Sequence, residues 1–144
     1  MGNPVNFFQI TAANGGPLQS FYKQVFSWKM SEGPGGMMMV ASEKGGIAGG
    51  VGASQNGASS VAVYVDVPDV SAHLTKVEQA GGKTAMPPME LPGGMGTIAG
   101  FLDPAGNWIG LWQAAKKPAK RAPAKRRAKA APKKKAKSAA RKRR

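Results

Sequence analysis

The sequence has no cysteine and one histidine, His73, in 144 residues. The first absence excludes disulfides, thiolate metal sites and a cysteine nucleophile. The second leaves all imidazole chemistry to a single side chain. No apolar run approaches the length that crosses a bilayer, and the opening MGNPVNFFQITAANGG lacks the basic-then-apolar order of a secretory leader. No membrane partner and a cytoplasmic location are therefore expected. Acids are scarce too, with 7 Asp and Glu against 21 Lys and Arg and a net charge of +14. The imbalance is local: 16 of those 21 cations lie in 116–144, which holds no acid, so the preceding body sits near −2. A nearly neutral domain carries a basic appendage, and the two need separate explanations.

The body has the means for a core, since the chain is 42% hydrophobic with 20 glycines, enough for one domain and too little for two. Its clearest local signal is FLDPAGNWIGLWQ, Phe101 to Gln113. Strand-forming runs at 97–102 and 107–113 are joined through Asp103, Pro104, Ala105, Gly106 and Asn107, which suit a turn, so the stretch reads as a hairpin. Alternation places Ile109 and Leu111 toward a core and Trp108, Gly110 and Trp112 on the opposite face. That aromatic face suits either a second packing layer or a ligand cleft.

Taken in order, residues 5–12 read as a strand, with Asn6, Phe8, Ile10 and Ala12 on one face and Val5, Phe7, Gln9 and Thr11 on the other. Leu18, Phe21, Tyr22, Val25 and Phe26 recur at helical spacing after Pro17. Short strands are expected at 28–30, 37–41 and 47–51, separated by glycine turns. After a small-residue linker at 53–60 the order starts again. VAVYVDV at 61–67 is a strand, Asp69 caps a helix carrying Val70, Leu74 and Val77, and Gly81-Gly82 ends it. A short strand at 83–86, a loop at 87–96 and the hairpin complete a second β-α-β-β-β unit. Such repetition outranks any single motif. The fold class is α+β, two βαβββ modules at 5–53 and 61–113 within a domain of residues 1–113.

FYKQVFSW in the first unit, with YVDVPDV, Gly81-Gly82 and DPAGNWIGLW in the second, resembles the vicinal oxygen chelate superfamily, which includes glyoxalase I, bleomycin-resistance proteins and extradiol dioxygenases. The resemblance implies a curved mixed sheet and a homodimer. In metal-dependent members it also implies one divalent ion held by His and Glu from the strands that open and close each unit. Here the matching positions fall on Phe7, Ala62 and Gly110, and 47–53 contains no carboxylate. None of these binds a metal, so no metal, cofactor or catalytic residue is expected. His73, off the apolar face of its helix, reads as a solvated histidine. Strand parity and the superfamily's arrangement nominate Phe7, Gln9, Tyr64, Asp66, Trp108 and Trp112 as the lining of a cleft for a small apolar ligand. Aromatics on strands serve equally as core or dimer interface, and both readings stand at this point.

Residues 114–144 are built almost entirely from Lys, Arg, Ala and Pro. With no side chain larger than alanine or proline to bury, and with like charges repelling, this segment is expected to be a disordered tail. It resembles the tails of linker histones. Its cations, Lys116, Lys117, Lys120, Arg121, Lys125, Arg126, Arg127, Lys129, Lys133, Lys134, Lys135, Lys137, Arg141, Lys142, Arg143 and Arg144, suit the phosphates of DNA or RNA without sequence preference. The expected function is a non-catalytic small-ligand-binding or interaction domain tethered to nucleic acid. The alternatives are a metal-dependent lyase or dioxygenase of the glyoxalase type and a bleomycin-resistance-like drug-binding protein.

Overall fold

The computed structural model describes residues 1–117; the rest of the expected tail, with its cations from Lys120 onward, lies outside the described residues. Ten principal elements follow in order: β1 (Val5–Ala12), α1 (Gly15–Phe26), β2 (Met30–Glu32), β3 (Met38–Val40), β4 (Ala48–Ala53), β5 (Ser60–Asp66), α2 (Val70–Gln79), β6 (Lys83–Glu90), β7 (Thr97–Leu102) and β8 (Trp108–Gln113). All eight strands join one sheet in the order β2-β3-β4-β1-β5-β8-β7-β6. The α+β class and the two βαβββ units are therefore as the sequence implied, and the units meet at the centre of one curved sheet.

The register shows how the halves are related. β1 and β5 pair antiparallel with Phe7 opposite Tyr64 and Gln9 opposite Ala62. Each has a parallel partner, with Gln9 beside Gly50 in β4 and Tyr64 beside Gly110 in β8. A pseudo-two-fold axis through the central pair thus maps Phe7 onto Ala62, Gln9 onto Tyr64 and Gly50 onto Gly110.

Alternation decides which side is covered. On the outer face of the second module, Val67, Val70, Leu74, Ala99 and Leu111 form a buried cluster, with Val65 and Phe101 against it. Asp69 holds α2 at its start, its Oδ1 accepting from the Ala72 amide at 3.0 Å, while Gly81 at φ 95° closes the other end. α1 lies over β4 and β1. Its approach depends on Gly15, where a Cβ would lie 2.6 Å from the Ala53 nitrogen. Trp28 stacks on Tyr22 and Phe26 and leans on Phe8, tying the helix end to β1. Phe21, Val25 and Phe26 nevertheless remain more than half exposed.

Three expectations shift. β2 occupies 30–32 rather than 28–30, because Trp28 is drawn into the aromatic stack. The second strand of the second unit, expected to stop at 86, runs through Pro87 and Pro88 to Glu90. As the sheet's edge, β6 needs no amide donors on its outer side, and its ladder breaks register between Met86 and Met89, where the prolines fall. Finally, β1 carries a bulge between Val5 and Phe7. The extra residue is Asn6, which parity put on the outer face and the bulge turns toward the inner one.

Candidate ligand-binding site

The inner face of the sheet, opposite the helices, encloses a cavity of about 410 Å³, within the range of small-molecule sites. The first module supplies Asn6, Phe7, Gln9 and Ala48 from its strands, and Pro34, Met37 and Met39 from the loop after β2 and from β3. Tyr64, Ile98 and Trp112 face them from the second module, with Leu91 and Met95 from the loop after β6. The two loops correspond: each is a Pro-Gly-Gly-Met sequence, 34–37 and 92–95, folded as a short 3-10 turn with its central glycine at positive φ. Each presents a methionine to the cavity.

Of the six side chains nominated from sequence, Phe7, Gln9, Tyr64 and Trp112 come together in this lining, whereas Asp66 and Trp108 do not. Asp66 sits at the end of β5, where its amide bonds to the Pro4 carbonyl. Trp108 lies edge-on to Tyr64 at 5.7 Å between ring centroids, and its indole covers Gly100. By the module register its counterpart is Ala48, so the cavity opens on the side where the small residue stands. Asn6, the methionines and the loop residues escaped the sequence reading. The repeated Pro-Gly-Gly-Met was the available signal for the methionines, and nothing local marked the bulge at Asn6.

Polar order in this wall centres on one pair. The Tyr64 hydroxyl donates to Gln9 Oε1 at 2.9 Å, and burial pushes the phenol above its ordinary pKa, so it stays protonated. Trp112 has no free donor, because its indole N–H goes to the Met95 carbonyl at 2.9 Å and pins the second loop against β8. Among the described residues no charged side chain lines the cavity.

The residues present do not fit a metal ion. Among the described residues no three His, Cys, Asp or Glu converge. The space itself is taken: a Cβ on Gly110 would lie 2.3 Å from Tyr64 Cδ1, and one on Gly50 would lie 3.0 Å from Met37 Cγ. His73 lies on α2 and not in this lining, its Nδ1 2.9 Å from the carbonyl of Asp69, the residue before the helix.

Comparison with known proteins agrees with this architecture. The profile of the Glyoxalase/Bleomycin resistance protein/Dioxygenase superfamily matches residues 10–111. CFP32 of Mycobacterium tuberculosis, named as a candidate glyoxylase, is 29% identical over 122 residues, covering 78% of this chain and 46% of that protein. The anthracycline biosynthesis protein DnrV of Streptomyces peucetius is 38% identical over 65 residues, 44% of this chain and 23% of that one. The chain thus spans about half the length of these curated relatives or less. Among solved structures, methylmalonyl-CoA epimerase from Mycobacterium tuberculosis has a TM-score of 0.58 at 12% identity, covering 78% of this chain and 88% of that one. The NAD-dependent benzaldehyde dehydrogenase structure from Legionella pneumophila gives 0.59 at 16%, covering 76% and 98%. At such identities the likeness shows the fold alone.

Proposed function

This chain belongs to the Glyoxalase/Bleomycin resistance protein/Dioxygenase superfamily, and we propose that within it the chain acts as a non-catalytic small-ligand-binding module which its basic C-terminal segment tethers to DNA or RNA. One observation carries the first half: a cavity of about 410 Å³ walled by aromatic and methionine side chains, with no ionisable group among the described residues other than a protonated tyrosine. General acid–base work needs a group that changes charge near the operating pH, and this wall has none. Apolar surroundings with a few fixed polar atoms suit binding.

Composition supports the second half. Sixteen cations without acids attract any polyanion, and the absence of aromatics in 114–144 leaves no platform for stacking bases. Assembly as a homodimer is part of the same proposal; Phe21, Val25 and Phe26, exposed on α1, offer apolar surface to a second copy.

Mass spectrometry of the full chain under native conditions tests the binding role. Ligand mass should accompany the protein and vanish in Ala48→Phe, which fills the cavity beside Phe7; a bound species equally retained in that variant refutes the cavity as its seat. Nucleic-acid tethering is tested by titrating duplex DNA at several salt concentrations. With about half the cations engaged, the slope of log K against log salt is on the order of −7, and replacing Lys133, Lys134 and Lys135 by Ala lowers it by up to about 3. A marked preference for one sequence, or affinity unchanged by the triple replacement, refutes non-specific phosphate contact.

A further inference from the structure

We infer that the cavity takes an uncharged, flat ligand carrying a hydrogen-bond acceptor, seated on the side-chain amide of Gln9. This rests on the ligand-binding reading above and specifies its chemistry.

The direction of one hydrogen bond sets the polarity of the site. A glutamine amide has one acceptor and one donor end. Because the Tyr64 hydroxyl donates to Gln9 Oε1, the acceptor end is engaged and the Nε2 hydrogens remain. Among the described residues Nε2 has no hydrogen-bond partner, and Gln9 lines the cavity. The tyrosine keeps its proton for this purpose, since burial opposes its ionisation. Of the other polar groups in the wall, the Trp112 indole is spent on Met95, while the buried Asn6 Oδ1 has no partner among the described residues. What Gln9 presents for recognition is thus a donor, and its complement is a carbonyl or ring-nitrogen acceptor.

The remaining surface limits the rest of the ligand. Among the described residues no charged side chain lines the cavity, and an ion moved there from water would lose its hydration without a partner in that wall. Phe7, Tyr64 and Trp112 offer aromatic rings while Met37, Met39 and Met95 offer thioethers, the groups that pack against the face or edge of a flat conjugated ring. At interior packing density, about three quarters of the volume, or roughly 300 Å³, is available to ligand atoms.

Fluorenone and fluorene, one flat frame with and without a carbonyl, make the test direct. Both are titrated into the full chain by quenching of tryptophan fluorescence, and the readout is the ratio of their affinities. In Gln9→Leu the ratio should move toward fluorene by about tenfold, the effect of one buried hydrogen bond and of leaving its donor unpaired. Tyr64→Phe keeps the ring but frees the amide to turn, and should move the ratio the same way by a smaller factor; it carries the test if Gln9→Leu does not fold. A ratio unmoved in folded Gln9→Leu or Tyr64→Phe overturns the acceptor, and 9-oxofluorene-4-carboxylate binding as tightly as fluorenone overturns the requirement for neutrality. If neither fluorenone nor fluorene binds the unaltered chain, the failure belongs to the cavity reading itself.

Discussion

Replacing Gly110 by alanine should cost this protein far more than the loss of a glycine ordinarily would. The added Cβ would lie 2.3 Å from Tyr64 Cδ1 and 2.4 Å from Cε1, against a comfortable carbon–carbon separation near 3.5–4.0 Å, so the ring must retreat by about 1.2 Å or more. It has little room. Tyr64 is 8% exposed, held edge-on by Phe7 at 5.8 Å and Trp108 at 5.7 Å, with its hydroxyl on Gln9. Overpacking of this kind costs about 1–3 kcal/mol, and losing the Gln9 bond adds about 1. The total of about 2–4 kcal/mol corresponds to a fall in Tm of roughly 8–16 °C for a body of this size. Gly50, at the equivalent position in the first module, meets only Met37 side-chain atoms and the tip of Phe7, at 3.0 Å and beyond. A flexible thioether can move aside, so Gly50→Ala should stay within about 1 kcal/mol. Urea unfolding of the full chain, followed by far-UV circular dichroism, measures both variants, and a Tyr64→Ala background should remove most of the Gly110→Ala penalty. Equal costs at Gly50 and Gly110, or a penalty that survives without the tyrosine ring, would refute the reasoning.

Asp69→Ala removes the side-chain acceptor at the start of α2 and should lower stability by about 1 kcal/mol, seen as a lower urea midpoint with unchanged slope. Burial raises the Tyr64 pKa above its ordinary value of 10.0, so the unfolded phenol ionises first; its contribution is complete below that value and is lost as pH rises through the folded one. Urea midpoints measured upward from about pH 8 should fall at the alkaline end, and Tyr64→Phe should lessen that fall. Asp103 moves the other way, lowered first by the Asn107 side chain and then by the Asn107 amide, so the hairpin gains its hold above the ordinary carboxylate range and loses it as pH falls through the folded value. The protection of the Gly106 and Asn107 amides against exchange, taken relative to the intrinsic rate at each pH, should fall in acid, and in Asp103→Ala should be low throughout. Light scattering should return twice the monomer mass, and Val25→Glu, which sets a charge among the exposed apolar residues of α1, should return the monomer.

Features settled within a few residues were legible in the sequence. The Asp69 cap, the Gly81 terminus and the turn closed by Asp103 and Asn107 each depend on neighbours in the chain, and the repeat of β-α-β-β-β made the sheet readable from its parts. What escaped depends on partners elsewhere. Pro87 and Pro88 continue a strand only because β6 has no neighbour on its outer side, a fact of sheet order that the run itself does not carry. Asn6 enters the cavity because β1 has one residue more than β5 opposite it, and a bulge belongs to a pair of strands rather than to either sequence. Trp108 and Ala48 occupy related positions, yet only the small one borders the cavity, since the large one fills the corresponding space and covers Gly100. The missing metal donors at Phe7, Ala62 and Gly110 were legible residue by residue; that Tyr64 lies over Gly110 was not. This second fact changes what the absence means. A carboxylate placed at 110 alone would meet the ring before it met an ion, so the phenol that bonds to Gln9 also stands in the way of a metal donor at that position.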